Sequence, residues 1–323
     1  MKNINIGIVG YGNIGRGVEK AVAHAQDMTL SCVVTRRDPQ AIKLETQGVA
    51  VITPEEAMKC SDIDVMILCG GSATDLMVQG PQFVAKFNTV DSYDTHSRIP
   101  EYFDMMRSAA QDTLALISAG WDPGLFSLMR LLSGAILPKG ETATFWGDGV
   151  SQGHSDAIRR IEGVQDATQY TVPVPQAIEQ VRAGNGAALT TRDKHKRVCY
   201  VVLKDGADKQ TVTQAIVSMP AYFADYDTAV HFVTQEELNA EHKKMPHGGF
   251  VVHSGTTSAQ RQTMEFALKL ESNPEFTGSV LVACARAVKR LYDDGRRGAV
   301  SMLDVPLGYY STMDAAALRG ELL

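Results

Sequence analysis

Two carboxylates are the residues of this chain best placed to do acid–base chemistry. Asp94 ends Ser92-Tyr93-Asp94, and Asp122 sits inside Gly120-Trp121-Asp122-Pro123-Gly124. Each follows a short apolar run that reads as a strand, Thr89-Val90 and Leu114-Ala115-Leu116-Ile117 respectively. A carboxylate beyond a strand end can hold a substrate ammonium or take a proton while hydride leaves the neighbouring carbon. Simpler work suits the same residues. Asp-Pro-Gly is good turn chemistry, and Asp94 could cap the segment after it. Spacing leaves both readings open.

What those carboxylates would act beside is set near the start of the chain. Gly10-Tyr11-Gly12-Asn13-Ile14-Gly15 follows the apolar run Ile4 to Val9 and precedes a helical pattern from Val18 to Ala25. This is G-x-G-x-x-G in the strand-to-helix context the motif needs. Gly10 permits the tight turn, Gly12 lets a diphosphate approach the backbone, and Gly15 lets the helix pack close to the strand. The helix N-terminus then points its amides at the phosphates. About twenty residues past the motif an NAD enzyme carries an acidic residue for the ribose 2′-hydroxyl. Here the second strand ends in Thr35-Arg36-Arg37. Guanidiniums attract a 2′-phosphate and can bind it bidentately, so the expected cofactor is NADP.

The elements that must position these groups alternate. Strands are expected at Thr29–Thr35, Asp62–Cys69, Thr89–Asp94 and Leu114–Ala119, with a helix at Asp75–Lys86. Strand–helix alternation implies a parallel, doubly wound α/β sheet of Rossmann type, which binds ligands beyond the carboxyl ends of its strands. Cys69-Gly70-Gly71-Ser72, Ser92 to Asp94 and Gly120 to Gly124 all fall at that edge. An apolar helix from Gly124 to Leu137 leads away from it, and the pattern changes. Strands are expected at Thr142–Trp146, Gln169–Val174, Lys196–Leu203, Val230–Val233 and Gly249–His253. Helices are expected at Ser155–Ile161, Lys209–Met219 and Gln235–His242. In Thr263–Glu271 apolar and polar residues alternate with period two, as in a half-buried strand. Short connections between strands suggest a second, α+β domain with a mixed sheet. The expected division is a dinucleotide-binding domain over 1–120 and a dimerisation and substrate-binding domain over 121–274. A helix from Thr277 to Tyr292 is expected to close the chain, so that 275–323 completes the first domain.

Composition narrows the class. A chain of 323 residues suffices for two cores. The net charge of −6 argues against a nucleic-acid surface, and no apolar run approaches a membrane span. Five cysteines without a C-x-x-C pair read as reduced thiols of a cytoplasmic protein. The histidines form no H-E-x-x-H pattern, so no metal site is expected. In the second half, Trp146, His195-Lys196-Arg197 and a glycine-rich loop, Met245-Pro246-His247-Gly248-Gly249, stand out from their surroundings; singly they also suit a core aromatic, a solvated basic turn and a surface histidine. As a set they suit a substrate bearing more than one carboxylate and amine.

With these segments assembled, the chain resembles the meso-diaminopimelate dehydrogenases, NADP-dependent enzymes of bacterial lysine biosynthesis. The resemblance rests on Val9-Gly10-Tyr11-Gly12-Asn13-Ile14-Gly15, Ser92-Tyr93-Asp94, Gly120-Trp121-Asp122-Pro123-Gly124 and Phe145-Trp146-Gly147. Ser151-Gln152-Gly153-His154-Ser155-Asp156, His195-Lys196-Arg197 and Met245-Pro246-His247-Gly248-Gly249 continue it, in order, over nearly the whole chain. It implies oxidative deamination at the D-centre of meso-2,6-diaminopimelate to L-2-amino-6-oxopimelate, ammonia and NADPH, by a homodimer. It places cofactor contacts on Gly10, Tyr11, Gly12, Asn13, Ile14 and Gly15, on Thr35, Arg36 and Arg37, and on Cys69, Gly70, Gly71 and Ser72. Ser92, Tyr93, Asp94, Ala119, Gly120, Trp121, Asp122 and Pro123 complete them. It places substrate contacts on Asp94, Asp122, Trp146, Gln152, Gly153, Thr171, Arg197, His247 and Asn273, with Asp94 and Asp122 as the catalytic candidates.

Two other readings fit these residues less well. Another two-domain NADP oxidoreductase would account for the first third but not the later motifs. A non-catalytic NADP sensor would have no use for both aspartates and the arginine–histidine set.

Overall fold

The computed structural model describes residues 3–323. In chain order its first part runs β1 (Ile4–Val9), α1 (Asn13–Ala23), β2 (Met28–Val34), β3 (Ala50–Ile52), α2 (Pro54–Ala57), β4 (Val65–Leu68), α3 (Leu76–Val84), β5 (Asn88–Asp91), α4 (Ile99–Ala109), β6 (Leu114–Ile117) and α5 (Leu125–Ile136). There follow β7 (Gly140–Trp146), β8 (Gly149–Val150), α6 (Gln152–Arg159), β9 (Val164–Pro173), α7 (Pro175–Arg182), α8 (Thr191–Lys194), β10 (His195–Leu203), α9 (Lys209–Val217), β11 (Asp227–Phe232), α10 (Gln235–Glu241), β12 (His247–Thr257) and β13 (Gln260–Leu270). The last elements are α11 (Asn273–Asp293), β14 (Gly298–Ser301) and α12 (Ala315–Leu322). The chain divides into two compact units, one ending at Leu128 and resuming over Pro274–Leu323, the other spanning Met129–Asn273.

The first unit is built on one sheet of order β14-β6-β5-β4-β1-β2-β3, every pair parallel. Every residue of β4, β5 and β6 is buried, as expected of strands covered on both faces. The order reverses between β1 and β4, so the turns after these two strands form the crevice where such sheets bind ligands. Helices α1 and α11 meet at bare backbone. A Cβ on Gly17 would lie 2.5 Å from the Pro274 carbonyl oxygen, and one on Gly278 would lie 2.4 Å from the Gly17 carbonyl carbon. The buried Arg286 of α11 pairs bidentately with Asp27 at 2.5 and 2.7 Å, tying α11 to the start of β2.

The second unit holds two sheets. One is mixed, of order β11-β10-β9-β8, with β10 and β11 parallel and the other pairs antiparallel. Helices α6 and α9 supply Ile158, Val212 and Ile216 to its core, against Ala167, Cys199 and Val201. The other sheet is antiparallel, of order β13-β12-β7, with Ile178 and Val181 of α7 against Phe145 and Val252. The period-two pattern of β13 is real: Met264, Phe266 and Leu268 are half-buried between exposed neighbours.

Three expectations change. The long helix does not close the chain, because β14 follows it and adds a seventh parallel strand beside β6. Four residues are too few to show a period. Helix α6 begins at Gln152 rather than Ser155, so Ser151-Gln152-Gly153 forms its start. His247 belongs to no loop; it opens β12, where Gly248 and Gly249 adopt φ of +149° and +150°. A Cβ on either would come within 2.1 Å of a carbonyl oxygen of the adjoining strand, Leu268 or Phe145. Those glycines serve close strand packing.

Candidate active site

The glycine turn joins β1 to α1 at the crevice. Gly10 adopts φ +90°, and its N–H donates to the Val34 carbonyl at 2.9 Å. The Cys69 N–H donates to the Val9 carbonyl at 2.8 Å, bringing the Cys69–Ser72 loop alongside. A Cβ on Gly15 would sit 2.2 Å from the Gly10 carbonyl oxygen, so packing of α1 on the turn excludes a side chain there. Gly12 differs. A Cβ there would meet no protein atom within 4 Å, and no side chain caps α1. Protein packing does not demand that glycine, whereas a diphosphate seated on the helix N-terminus does. The residues present therefore fit a dinucleotide.

The two arginines expected to read the 2′-phosphate lie beyond β2. Arg36 is exposed and donates to Asp75 at 2.6 Å, while Asp75 also accepts the Gly71 N–H at 3.1 Å. Arg37 donates to the Tyr11 carbonyl at 2.6 Å, which holds its guanidinium against the glycine turn. An exposed Arg–Asp pair contributes little and can yield to a phosphate. Arg36→Ala combined with Arg37→Ala is expected to weaken NADP binding on the order of 10- to 100-fold, with NAD nearly unaffected, since each charge-assisted bond contributes roughly 1.5–3 kcal/mol. Titration of both nucleotides checks this, and equal losses would refute it.

Asp94 and Asp122 stand on neighbouring loops at the same edge. The Asp94 N–H donates to Ser72 Oγ at 3.0 Å, linking its loop to the Cys69–Ser72 loop. Tyr93 turns inward: its ring is fully buried and stacks on Tyr102 at 4.2 Å, so only its backbone faces the edge. Asp122 lies in a turn closed by the Leu125 N–H on the Gly120 carbonyl at 3.0 Å. Gly124 has φ +128°, and a Cβ there would lie 2.0 Å from the Gly120 oxygen, so that turn requires glycine. Trp121 is buried edge-on to Phe126 at 5.3 Å and anchors the same turn.

The second unit gathers the remaining candidates around Arg197. Arg197 on β10 faces Thr171 on β9 across the ladder and donates to its hydroxyl. The guanidinium lies 3.9 Å above the Tyr226 ring, a cation–π contact. It is 7% exposed, its Nε has no hydrogen-bond partner, and no carboxylate pairs with it among the described residues. Burial lowers its pKa from the usual guanidinium value, with Tyr226 opposing. His154 and His195 are both pushed down to about 4, by burial first and then by the Arg197 charge, so both are neutral near pH 7. Burial lowers His247 as well. The neighbourhood thus keeps Arg197 as its cation while the imidazoles around it stay neutral.

Each other candidate is held by a neighbour. The Trp146 N–H donates to His195 Nε2 at 2.9 Å, and the two rings stack at 5.3 Å. Gln152, the first residue of α6, donates to Met245 Sδ at 3.1 Å, and the Asn273 N–H donates to the Met245 carbonyl at 3.0 Å. A Cβ on Gly149 would lie 2.5 Å from His247 Cα, so that glycine makes room for the histidine. Gly153, by contrast, has open space around it. Tyr226 and His154 were not anticipated as members of this cluster. Tyr226 immediately precedes β11, whose parallel register on β10 carries no local sequence signal. His154 lay within a recognised motif but was assigned no role.

Residues 120–272 match the family model described as the diaminopimelic acid dehydrogenase C-terminal domain. The meso-diaminopimelate D-dehydrogenase of Lysinibacillus sphaericus is 56% identical over 100% of both chains. The solved structure of C. glutamicum DAP dehydrogenase in complex with DAP is 42% identical, covers 100% of both chains and superposes with a TM-score of 0.94. An engineered D-amino acid dehydrogenase bound to NADP+ is 41% identical, with a TM-score of 0.89 over 100% of both chains.

Proposed function

The chain belongs to the meso-diaminopimelate D-dehydrogenase family, and from that membership we propose that it oxidises the D-configured α-carbon of meso-2,6-diaminopimelate with NADP. The reaction consumes the D-amino acid centre, NADP+ and water, and yields L-2-amino-6-oxopimelate, ammonium, NADPH and a proton. It is reversible, and it serves lysine biosynthesis through diaminopimelate. The observation that carries the reading is Arg197. Its buried guanidinium has no carboxylate partner among the described residues, which is costly unless a ligand supplies one. A diaminodicarboxylate does so with its distal carboxylate.

Bound NADP supplies the hydride acceptor. Gly10–Gly15 and the Cys69–Ser72 loop would hold its diphosphate, and Thr35, Arg36 and Arg37 its 2′-phosphate. Ser92–Asp94 and Ala119–Pro123 would flank the nicotinamide. Asp94 and Asp122 hold the reacting amine. Asp122, directly or through a water, takes the proton whose departure frees the nitrogen lone pair to expel hydride from carbon. Water then adds to the resulting iminium, and ammonia leaves. Arg197, Thr171, His247 and Asn273 grip the distal L-centre by its carboxylate and amine, with Gln152 and Gly153 beside them. Such a grip selects stereochemistry, because only one end of the skeleton can then present its carbon for oxidation. Trp146 would wall the substrate cavity and exclude water.

We further propose that the enzyme is a cytoplasmic homodimer. Five free cysteines support a reducing compartment, and exposed Leu132 and Ile136, one turn apart on α5, support burial against a second copy. The test of function is NADP reduction with meso-diaminopimelate against the LL isomer, which has no D-centre. Turnover of the meso form alone is the expected result.

A further inference from the structure

We propose that Asp91 is a positioning residue for this reaction, a buried carboxylate that sets the spacing of the loops bearing Asp94 and Asp122. The proposal rests on the reading above that those two aspartates serve the reacting amine. Asp91 is the last residue of β5 and is fully buried. One carboxylate oxygen accepts the N–H groups of Tyr93 and Ser118, each at 3.0 Å. The other accepts the Tyr102 hydroxyl at 2.9 Å, and the Asp91 carbonyl accepts the Ala119 N–H at 2.8 Å.

One residue thereby joins four pieces: β5, the Ser92–Asp94 loop, α4 through Tyr102, and the loop that starts at Ser118. Asp94 lies three positions beyond Asp91, and Asp122 four positions beyond Ser118. Ser118 adopts φ +55°, unusual for a residue with a side chain, and Asp91 binds the N–H of that same residue. The Tyr93 ring stacked on Tyr102 closes the arrangement from the side.

Structural filling alone would not call for a charge here. No ion pair reaches Asp91 among the described residues, and the ionisable side chain bonded to it is the Tyr102 phenol, whose ring stacks on that of Tyr93. Burial pushes its carboxyl up to about 6 even though all three hydrogen bonds favour the charged form. Asparagine would fill the same volume and still accept the two backbone N–H groups. It would lose the charge that strengthens those bonds and the second acceptor for Tyr102. A carboxylate costs more than its isostere at this position, so its use here is explained by the firmness with which it holds the two loops.

The sign of the pH effect follows. As pH falls through about 6, Asp91 takes a proton, its bonds to the Tyr93 and Ser118 amides lose charge assistance, and the two loops loosen. The experiment is steady-state kinetics of wild type, Asp91→Asn and Tyr102→Phe from pH 5 to 9, with thermal unfolding of each. In wild type, kcat/KM for meso-diaminopimelate is expected to bend downward near pH 6. Asp91→Asn is expected to lower kcat by at least tenfold and to abolish that bend, with KM for NADP changed less than kcat. Tyr102→Phe removes one bond to the carboxylate and is expected to move the bend to higher pH. A wild-type kcat with the bend intact in Asp91→Asn would overturn the proposal. So would a loss that merely tracks the unfolded fraction. If Asp91→Asn does not fold, an unmoved bend in Tyr102→Phe overturns it just as well. Wild type inert towards meso-diaminopimelate would instead defeat the functional reading, and the positioning role with it.

Discussion

Asp122→Asn is expected to reduce kcat roughly 10²- to 10⁴-fold, the range that removal of a positioned general base produces. The substitution keeps the size and the hydrogen-bonding plane of the side chain. The turn around it is closed by backbone bonds and by Gly124, which the change does not touch. On the role proposed for Asp122, what is lost is the capacity to take a proton from the reacting ammonium, directly or through water. Until that proton leaves, nitrogen has no lone pair with which to expel hydride. The loss should therefore fall on kcat, with KM for the amino acid moving far less. Asp94→Asn is the informative partner. If Asp94 holds the ammonium without taking the proton, its replacement should raise KM more than it lowers kcat. Steady-state rates with saturating NADP separate the two patterns. An Asp122→Asn enzyme within threefold of wild-type kcat would remove Asp122 from proton transfer.

Arg197→Ala is expected to lower kcat/KM for meso-diaminopimelate by roughly 10²- to 10³-fold, mostly through KM. Breaking a buried ion pair by deleting one partner costs about 3–5 kcal/mol, because the other charge is left unpaired in a dry site. In the free protein the cost runs the other way. The guanidinium there is buried with an unpartnered Nε, so its removal should not lower the unfolding temperature in proportion to the lost activity. Arg197→Lys keeps the charge but not the planar fork, nor the stacking on Tyr226, and should recover only part of the loss. Initial rates over a substrate series, with unfolding curves alongside, distinguish these effects. An unchanged KM in Arg197→Ala would exclude Arg197 from the distal grip.

How much of this was legible in the sequence depends on how local each feature is. The glycine turn was legible because each of its glycines answers a constraint within a few residues, and Arg36 and Arg37 because they sit at a known distance beyond it. The parallel first sheet followed from apolar runs in alternation with helical patterns. β14 escaped because Gly298–Ser301 is too short to show a period and is specified by its neighbour β6. His247 was misplaced in a loop because paired glycines usually mark turns, whereas here they let β12 approach β7 and β13. Trp146, Arg197 and His247 stood out as a set, but Gln152, Gly153, Thr171 and Asn273 came from resemblance, since nothing local in Thr171 announces that it faces Arg197 on the adjacent strand. Tyr226 beneath Arg197 and the bonds around Asp91 are tertiary facts. Asp91 in particular reads, in sequence, as the polar end of a short strand, and its partners lie 2, 11 and 27 positions away.

Hydride from the D-centre of meso-diaminopimelate is expected to go to NADP. This transfer is tested most directly with two substrates, one deuterated at the D α-carbon and one at the L α-carbon, each incubated with the enzyme and NADP while the nicotinamide product is analysed by mass. Deuterated NADPH is expected from the first substrate and unlabelled NADPH from the second, with ammonium formed in equal amount. Deuterated NADPH from the L-labelled substrate, or no NADPH from either, would contradict it.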